Sequence, residues 1–253
     1  MSISFDNAAH FYDETRGFPA GVETNAAAAI ARVAGFTGGE RVLEIGVGTG
    51  RIALPVAPYV QRYFGIDISP LMMRRLLEKR GDEPISLVQG DATRLPFPRA
   101  AFEAVMAVHI FHLIPGWQQV LVELARVLKP GGCLIHCWNS NDQAIDIETT
   151  LKELVSGGRA EAVGARGNTF LEESGWQVGE EEMYTFTRQQ KPIEIVDQMR
   201  RRVWSRTWRL SDAQLAENVA ALQQMLEQRF SDLHTSIEVQ TTFHARIYLP
   251  PKT

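Results

Sequence analysis

The feature that most narrows what this chain can fold into is a rhythm. From about residue 22 to residue 137, helix-like segments alternate with short apolar runs. Ala26 to Val33 is alanine-rich and predicts a helix, and Arg41 to Ile45 is an apolar run ending at glycines. A second helix is expected after those glycines, bent where Pro55 removes the amide that would bond to the Arg51 carbonyl. Tyr63 to Ile66 and Ile85 to Gln89 read as the second and third strands. Between them, Ser69-Pro70 reads as an N-cap with proline in the first turn of a helix carrying Leu71, Met72, Leu76 and Leu77. Phe102 to Val108 is apolar almost throughout, as a strand covered by helices on both faces must be. Trp117, Val120, Leu121, Leu124, Val127 and Leu128 make one helical stripe, stopped by Lys129-Pro130-Gly131-Gly132, and Cys133 to Trp138 is the fifth strand. Strands separated by helices in this way imply a doubly wound, mostly parallel α/β sheet with right-handed crossovers.

Beyond Trp138 the rhythm changes. Residues from Asn139 to about Gly175 are polar with weak helical patches, and Val178 to Phe186 reads as a sixth strand. Ile193 to Trp204 looks helical. Ser211-Asp212-Ala213-Gln214 fits a capping box opening a helix striped by Leu215, Val219, Leu222, Leu226 and Phe230. Strict alternation at Ile237, Val239, Thr241, Phe243, Ala245 and Ile247 predicts a half-buried antiparallel last strand. The expected architecture is a seven-stranded sheet with an antiparallel last strand and an inserted helical cap.

With 253 residues, 45% of them hydrophobic, the chain can bury a substantial core. A net charge of −4 argues against general attraction to nucleic acid or anionic membrane and leaves a small molecule as the expected partner. Cys133 and Cys137 lie four apart in a strand, about 13 Å along it, too far for a disulfide. Without matching histidine spacing they make a poor zinc site, so free thiols in a reducing cytosol and no metal are expected. The N-terminus lacks the basic then apolar layout of a signal peptide. The longest apolar stretch, Ala104 to Ile114, is short and broken by His109 and His112. A soluble cytoplasmic protein is expected.

The chemistry starts at the first strand's turn. Gly46, Gly48 and Gly50 let the backbone approach a ligand closely and point amides at it. Such a turn serves many nucleotides, and sometimes only packing. In the dinucleotide fingerprint Gly-x-Gly-x-x-Gly the third glycine comes one residue later than Gly50. Glu44, just before the turn, would discourage a pyrophosphate but could accept hydrogen bonds from an ammonium group or from the loop. Asp67, ending the second strand, can accept two hydrogen bonds from a ribose diol, a device that NAD enzymes also use. Asp91, in Gly90-Asp91-Ala92 after the third strand, could accept from an adenine amino group or simply cap its own turn.

Taken in order, Val42-Leu43-Glu44-Ile45-Gly46-Val47-Gly48-Thr49-Gly50, Gly65-Ile66-Asp67-Ile68-Ser69, Gln89-Gly90-Asp91-Ala92 and Leu128-Lys129-Pro130-Gly131-Gly132 resemble the class I methyltransferases, especially the family 11 group with its small-molecule and quinone enzymes. The resemblance covers roughly residues 5 to 138. It implies the Rossmann-like methyltransferase fold and S-adenosylmethionine as cofactor, with S-adenosylhomocysteine as product. It implies that Glu44 and the backbone of Gly46, Gly48 and Gly50 hold the methionyl part, Asp67 the ribose, and Ile68 and Met72 the adenine face. Gly90, Asp91 and Ala92 would lie at the adenine edge, and Val108 and His109 beside the sulfonium. The segment Phe11-Tyr12-Asp13-Glu14-Thr15-Arg16 resembles the family's Tyr-Asp-x-x-Arg start, which closes over the cofactor and would bring Tyr12 to it. Arg16 would pair with the cofactor carboxylate or stand as a surface arginine. Glu103 departs from the family's usual Asp and is expected to be structural. The expected division is a cofactor-binding core with N-terminal lid at 1–137, the fifth-strand exit, a helix and the sixth strand at 138–187, a helical cap at 188–232, and the last strand at 233–253.

A sulfonium is already an activated methyl donor, so such a protein chiefly positions the acceptor and excludes water. Where a general base is needed, His109, His112 and His136 are candidates, with His112 preferred because it sits in the loop after the fourth strand; it could equally only shape the pocket. Trp204 and Trp208, one helical turn apart, and Trp138 would either line a pocket for a flat acceptor or serve as core. Arg200, Arg201, Arg202, Arg206 and Arg209 form either a solvated face or a site for an anionic acceptor, with RNA a remote third. Against the enzyme stand a non-catalytic S-adenosylmethionine-binding sensor or assembly partner, and an NAD-dependent oxidoreductase. Neither the acceptor nor the oligomeric state is legible. Arg16→Ala is expected to weaken cofactor binding measured by calorimetry, and unchanged affinity would remove Arg16 from the site.

Overall fold

A strand rich in apolar residues at every position is stable only between two covered faces, and β1 (Arg41–Ile45) and β4 (Phe102–Val108) are of that kind, buried at nearly every residue. They pair in parallel at the centre of a seven-stranded sheet of order β3-β2-β1-β4-β5-β7-β6. The other strands are β2 (Arg62–Asp67), β3 (Ile85–Gln89), β5 (Leu128–Ser140), β6 (Gln177–Gln190) and β7 (Ile237–Leu249). Strands β1 to β5 pair in parallel and the last strands are antiparallel, so the sheet is mixed, as the sequence pattern predicts. The computed structural model describes residues 4–140 and 169–252, apart from the side chains of Arg16 and Arg206. Most of the stretch read as polar with weak helical patches, residues 141–168, lies outside the described residues.

By its internal contacts the chain divides into two units. The first contains, among the described residues, 4–139, 169–184 and 243–252. Its helices are α1 (Tyr12–Arg16), α2 (Val22–Ala34), α3 (Ala53–Val56), α4 (Pro70–Lys79), α5 (Trp117–Val127) and α6 (Thr169–Glu173). On α5 the stripe Val120, Leu121, Leu124 and Val127 is buried in one cluster with Leu43, Ile45, Phe102, Val105 and Leu134 of the sheet. Each such side chain contributes about 1.5–3 kcal/mol. Helix α4 opens as predicted, with the Met72 amide donating to Ser69 Oγ at 3.1 Å and Pro70 in its first turn.

Residues 185–242 belong to the second unit, whose helices are α7 (Pro192–Arg200) and α8 (Asp212–Arg229). They pack through Ile195, Val196 and Met199 of α7 and Val219, Leu222 and Leu226 of α8. The capping box at Ser211 and Gln214 is formed, with reciprocal bonds of 3.3 and 3.0 Å.

Three elements differ from expectation. The helix after the glycine turn is cut to the single turn of α3 followed by a 3-10 turn at Ala57–Tyr59, because Pro55 lies inside it and Pro58 just beyond. Helix α7 stops at Arg200, four residues before the expected Trp204. Arg202 takes a left-handed φ of 53°, and its guanidinium donates to the carbonyls of Thr207 and Leu210, so the chain turns where the helix would have continued. The Lys-Pro-Gly-Gly stop lies within β5: Leu128 pairs with Phe102 and Cys133 with Ala104, leaving residues 129–132 as a bulge beside Glu103. Glu103 is structural, as expected, accepting from the Arg41 amide at 2.8 Å and pairing with Lys129.

A Cβ on Gly132 would lie 2.7 Å from the Glu103 carbonyl oxygen and 3.0 Å from that of Lys129, and neither backbone atom can yield cheaply. Gly132→Ala is therefore expected to destabilise the protein by about 1–3 kcal/mol in urea titration. An unchanged midpoint would show that the bulge relaxes.

Candidate active site

The strand order reverses at β1, between β2 and β4, and in open parallel sheets the crevice beyond the carboxyl ends of such strands is where ligands bind. Here β1 runs into Gly46-Val47-Gly48-Thr49-Gly50, whose three glycines have φ of 68°, 55° and 77°. Glycine takes these values without the Cβ clash that disfavours them for most other residues. The Gly46 and Val47 amides donate to the Ile66 carbonyl at 2.8 and 3.2 Å, which fastens the turn to β2. Asp67 completes the fastening, its two oxygens accepting from the Gly48 and Ser69 amides, each at 2.8 Å. Burial pushes the Asp67 carboxyl up against these bonds.

Two clefts open at this turn. The larger, about 640 Å³ and partly open to solvent, brings together Gly46, Gly48, Asp67, Ile68 and Met72 from the first two loops with Gly90, Asp91 and Ala92 after β3. Val108 and His109 close it from the end of β4, and Tyr12 lines it from α1. The smaller, about 300 Å³, shares Tyr12, Gly46, Gly48 and Val108 with the larger and adds Glu44, Thr49 and Arg51. Twelve of the fourteen positions that the sequence singles out for a cofactor thus line one cleft or the other. Gly50 lines neither: a Cβ there would come within 2.5 Å of Leu76 and 3.3 Å of Leu54, so this glycine serves close packing. The side chain of Arg16, the remaining position, lies outside the described residues. Asp91 caps its own turn, with Oδ1 accepting from the Thr93 amide and hydroxyl at 2.9 and 2.8 Å, and it also lines the larger cleft.

Glu44 is only 3% exposed, and the Tyr63 hydroxyl donates to its Oε2 at 2.7 Å. Burial raises its carboxyl to about 8, opposed by the Tyr63 bond and by the charge of Arg51. Sequence reading missed Tyr63, and the strand register held the clue. Glu44 sits opposite Gly65, so Tyr63, two residues away on the same face of β2, can bring a hydroxyl donor to it.

The N-terminal segment is pinned to the same loops by two acids that sequence reading also missed. Asp6 accepts from the Ser69 hydroxyl at 2.5 Å, and that bond holds its carboxyl below the usual range. Asp13 accepts from the Thr49 hydroxyl at 2.5 Å and from Lys79 Nζ at 2.7 Å. Phe5, edge-on to Tyr12 with centroids 5.8 Å apart, adds a second ring to the larger cleft.

The three candidate histidines separate clearly. His109 lines the larger cleft in a left-handed conformation, φ 50°, with its amide donating to the Cys137 carbonyl at 3.1 Å. His112 is exposed on the 3-10 turn Phe111–Leu113 and lines neither cleft. His136 is buried beside Phe111 and Trp138, and burial, Arg246 and His112 lower its imidazole to about 3, too low to take a proton near neutrality. Trp138 is stacked on His244 at 4.8 Å and has the Arg246 guanidinium 5.3 Å from its ring, both partners being held by Glu181. It is therefore packed into the sheet. In the second unit, Arg202 also pairs with Asp212 at 2.7 Å and Arg200 pairs with Asp197. Trp208 Nε1 donates to the Arg202 carbonyl at 2.7 Å, and Trp204 packs against the helix pair. These residues hold the turn after α7, and Trp204 and Trp208 do not share a helical face. Among the described residues, no group of three or more His, Cys, Asp or Glu is placed to hold a metal, and no helix is long and apolar enough to cross a membrane.

Residues 43–136 match the family model Methyltransf_11, methyltransferase domain. The chain carries a class I methyltransferase domain of the family 11 type. Over 112 residues it is 38% identical to the demethylmenaquinone methyltransferase of Tropheryma whipplei strain Twist, covering 43% of this chain and 46% of that protein. The chain thus spans about half the length of the curated relatives it matches. The YcgJ protein of Bacillus subtilis superposes on 90% of the chain and 99% of its own, with a TM-score of 0.62 at 18% identity. Phosphoethanolamine N-methyltransferase 2 of Haemonchus contortus, solved with phosphomonomethylethanolamine and S-adenosylhomocysteine, matches 98% of this chain and 58% of its own, with a TM-score of 0.54 at 18% identity. The methyltransferase domain is thus the part that sequence similarity reaches, and the fold similarity extends well past it.

The buried Glu44 of this domain makes a pH signature. Between the ordinary carboxyl value of 4.5 and about 8, the folded protein keeps a proton that the unfolded chain has released. Stability from this group therefore falls as pH rises through that window and levels off above it. Glu44→Gln is expected to melt higher than wild type near pH 8, with the gap closing near pH 5, as followed by circular dichroism. A gap independent of pH would mean that the acid is ionised throughout.

Proposed function

We propose that this protein transfers a methyl group from S-adenosylmethionine to a small-molecule acceptor. The observation that carries the reading is the joined pair of clefts at the β1 switch point, one suited to a nucleoside and the other containing a buried acid. The residues fit the cofactor. Gly46 and Gly90 line the larger cleft, and a Cβ on Gly46 would come within 2.5 Å of Ile110 and one on Gly90 within 2.9 Å of Ile66, so bare backbone there also lets the cleft wall pack closely. Asp67 keeps lone pairs beyond its two amide bonds for a ribose diol, and Ile68, Met72 and Ala92 offer apolar surface to adenine beside Asp91. Glu44 supplies a negative partner for an α-ammonium, and Val108 and His109 would stand at the sulfonium end. The Haemonchus enzyme solved with S-adenosylhomocysteine shares the fold. The cofactor, when bound, supplies an activated methyl group.

The chain's own contribution is to hold and orient. The Asp6 and Asp13 bonds keep the N-terminal segment over the loops, so that Phe5 and Tyr12 limit the entry of water. His109 is the favoured proton acceptor for an acceptor group that carries one, because its backbone conformation is strained and it lines the cleft, whereas His112 lines neither. The related names range over quinones and lipids, and small organic acceptors of that breadth are the class proposed.

Thermal shift with S-adenosylmethionine, S-adenosylhomocysteine and NAD tests the cofactor, and stabilisation by NAD alone would overturn it. A metabolite screen that detects S-adenosylhomocysteine formation then tests catalysis; cofactor binding without turnover on any acceptor would favour the sensor. With an acceptor in hand, His109→Asn, which tolerates the left-handed backbone, is expected to lower kcat about 10²-fold with cofactor affinity kept. Unchanged kcat removes His109 from proton transfer.

A further inference from the structure

We propose that the turn joining α7 to α8, residues 201–210, docks the chain on an anionic lipid bilayer, with its arginines meeting headgroup phosphates and its tryptophan surface entering the headgroup layer. This concerns where the chain works and is independent of the cofactor. The net charge of −4 conceals an uneven distribution. Five of the 26 lysines and arginines are Arg200, Arg201, Arg202, Arg206 and Arg209, and no acid lies between Asp197 and Asp212. Within this run Arg202 is turned inward. Its guanidinium donates to the Thr207 and Leu210 carbonyls at 2.7 and 2.8 Å, and its own carbonyl accepts from Trp208 Nε1 at 2.7 Å. Thr207 is buried, and its hydroxyl donates to the Trp204 carbonyl at 2.6 Å. A turn closed by these bonds holds its shape before any partner arrives, so little ordering entropy opposes docking.

Arg201 and Arg209 flank the closure, each next in sequence to a bonded residue, and both are exposed. Their side chains make no hydrogen bond or ion pair with any described residue. Arg200 pairs with Asp197 at the surface, a contact worth little against solvent. Guanidinium groups so placed are suited to phosphate, which they grip with two parallel bonds. The polar atom of the Trp208 ring, Nε1, is engaged within the turn, so the part of this half-buried ring that meets solvent is hydrocarbon. Arginine beside apolar indole surface matches a bilayer interface, where indole rings sit at headgroup level. A nucleic acid strand is the other polyanion of this chemistry, but it is held along a basic groove several nucleotides long. Here Asp197 and Asp212 bound one short turn, which offers a point of contact to a plane of charge and no track for a strand.

Sedimentation of the full chain with vesicles tests this. Wild type should sediment with vesicles of phosphatidylcholine mixed equally with phosphatidylglycerol, stay in solution with phosphatidylcholine alone, and be released as salt rises. Arg201→Gln with Arg209→Gln should weaken retention about 30-fold, from about fivefold per cationic side chain near such a surface. Lys191→Gln with Arg229→Gln removes the same charge from the far end of the helix pair, about 27 Å away along α8, and should change retention less than about twofold. Both double variants alter exposed side chains and should melt with wild type by circular dichroism. The proposal is overturned if wild type stays in solution with the anionic vesicles, if it binds phosphatidylcholine alone equally well, or if the two double variants lose retention alike. Wild-type tryptophan emission should be quenched by brominated phosphatidylcholine in the anionic mixture, and retention without quenching overturns the tryptophan contact. Release by inorganic phosphate at constant ionic strength overturns the bilayer in favour of a small-anion site. Single-stranded RNA held on a filter more tightly than the anionic vesicles, and lost in the Arg201 and Arg209 double variant, overturns it in favour of nucleic acid.

Discussion

The Asp67 carboxylate is the joint on which the site depends. By accepting from the Gly48 and Ser69 amides it ties the exit of β1 to the exit of β2 across the switch point. Three further contacts hang on the two loops so joined. Ser69 caps α4, Ser69 also donates to Asp6, and Thr49 donates to Asp13. The glycine turn, the α4 start and the N-terminal segment therefore form one hydrogen-bonded assembly. Its partly buried carboxylate is satisfied by backbone amides, which is how a charge can be kept at such a position.

Electrostatics divide the clefts into regions of different chemistry. The larger is mainly apolar, with Asp67 and Asp91 at its polar edge, as a nucleoside requires. The smaller holds Glu44, whose burial raises its carboxyl to about 8 even with the charge of Arg51 drawing it down. Tyr63 steadies the acid from beneath, and Arg51 offsets it from the side. The histidines show the same principle in the opposite sense. His136 is neutralised by burial, whereas His109 reaches the cleft through a backbone conformation that costs energy.

Much of this was legible from residue pattern. The strand and helix rhythm over residues 22–137 yields the parallel strands because burial on two faces demands uninterrupted apolar runs. The capping residues Ser69 and Ser211 are local hydrogen-bond devices and were readable as such. Local exceptions were harder. Arg202 ended α7 early through bonds to carbonyls five and eight residues on, and helical periodicity carries no record of those acceptors. The Lys-Pro-Gly-Gly segment reads as a helix stop, yet strand pairing resumes on both sides of it, so it becomes a bulge.

The sequence by itself determined the parallel sheet, the glycine turn and the acids that ring it, because these follow from periodicity and from short-range spacing. Tertiary structure decided which residues share a cleft. It moved Gly50 into packing against Leu76 and Leu54, left His112 outside both clefts and brought Arg51 into the one that holds Glu44. It also joined Tyr63 to Glu44, and Asp6 and Asp13 to loops more than thirty residues away. Such pairings depend on strand register and on the path of the chain between elements. Periodicity along a single segment records neither.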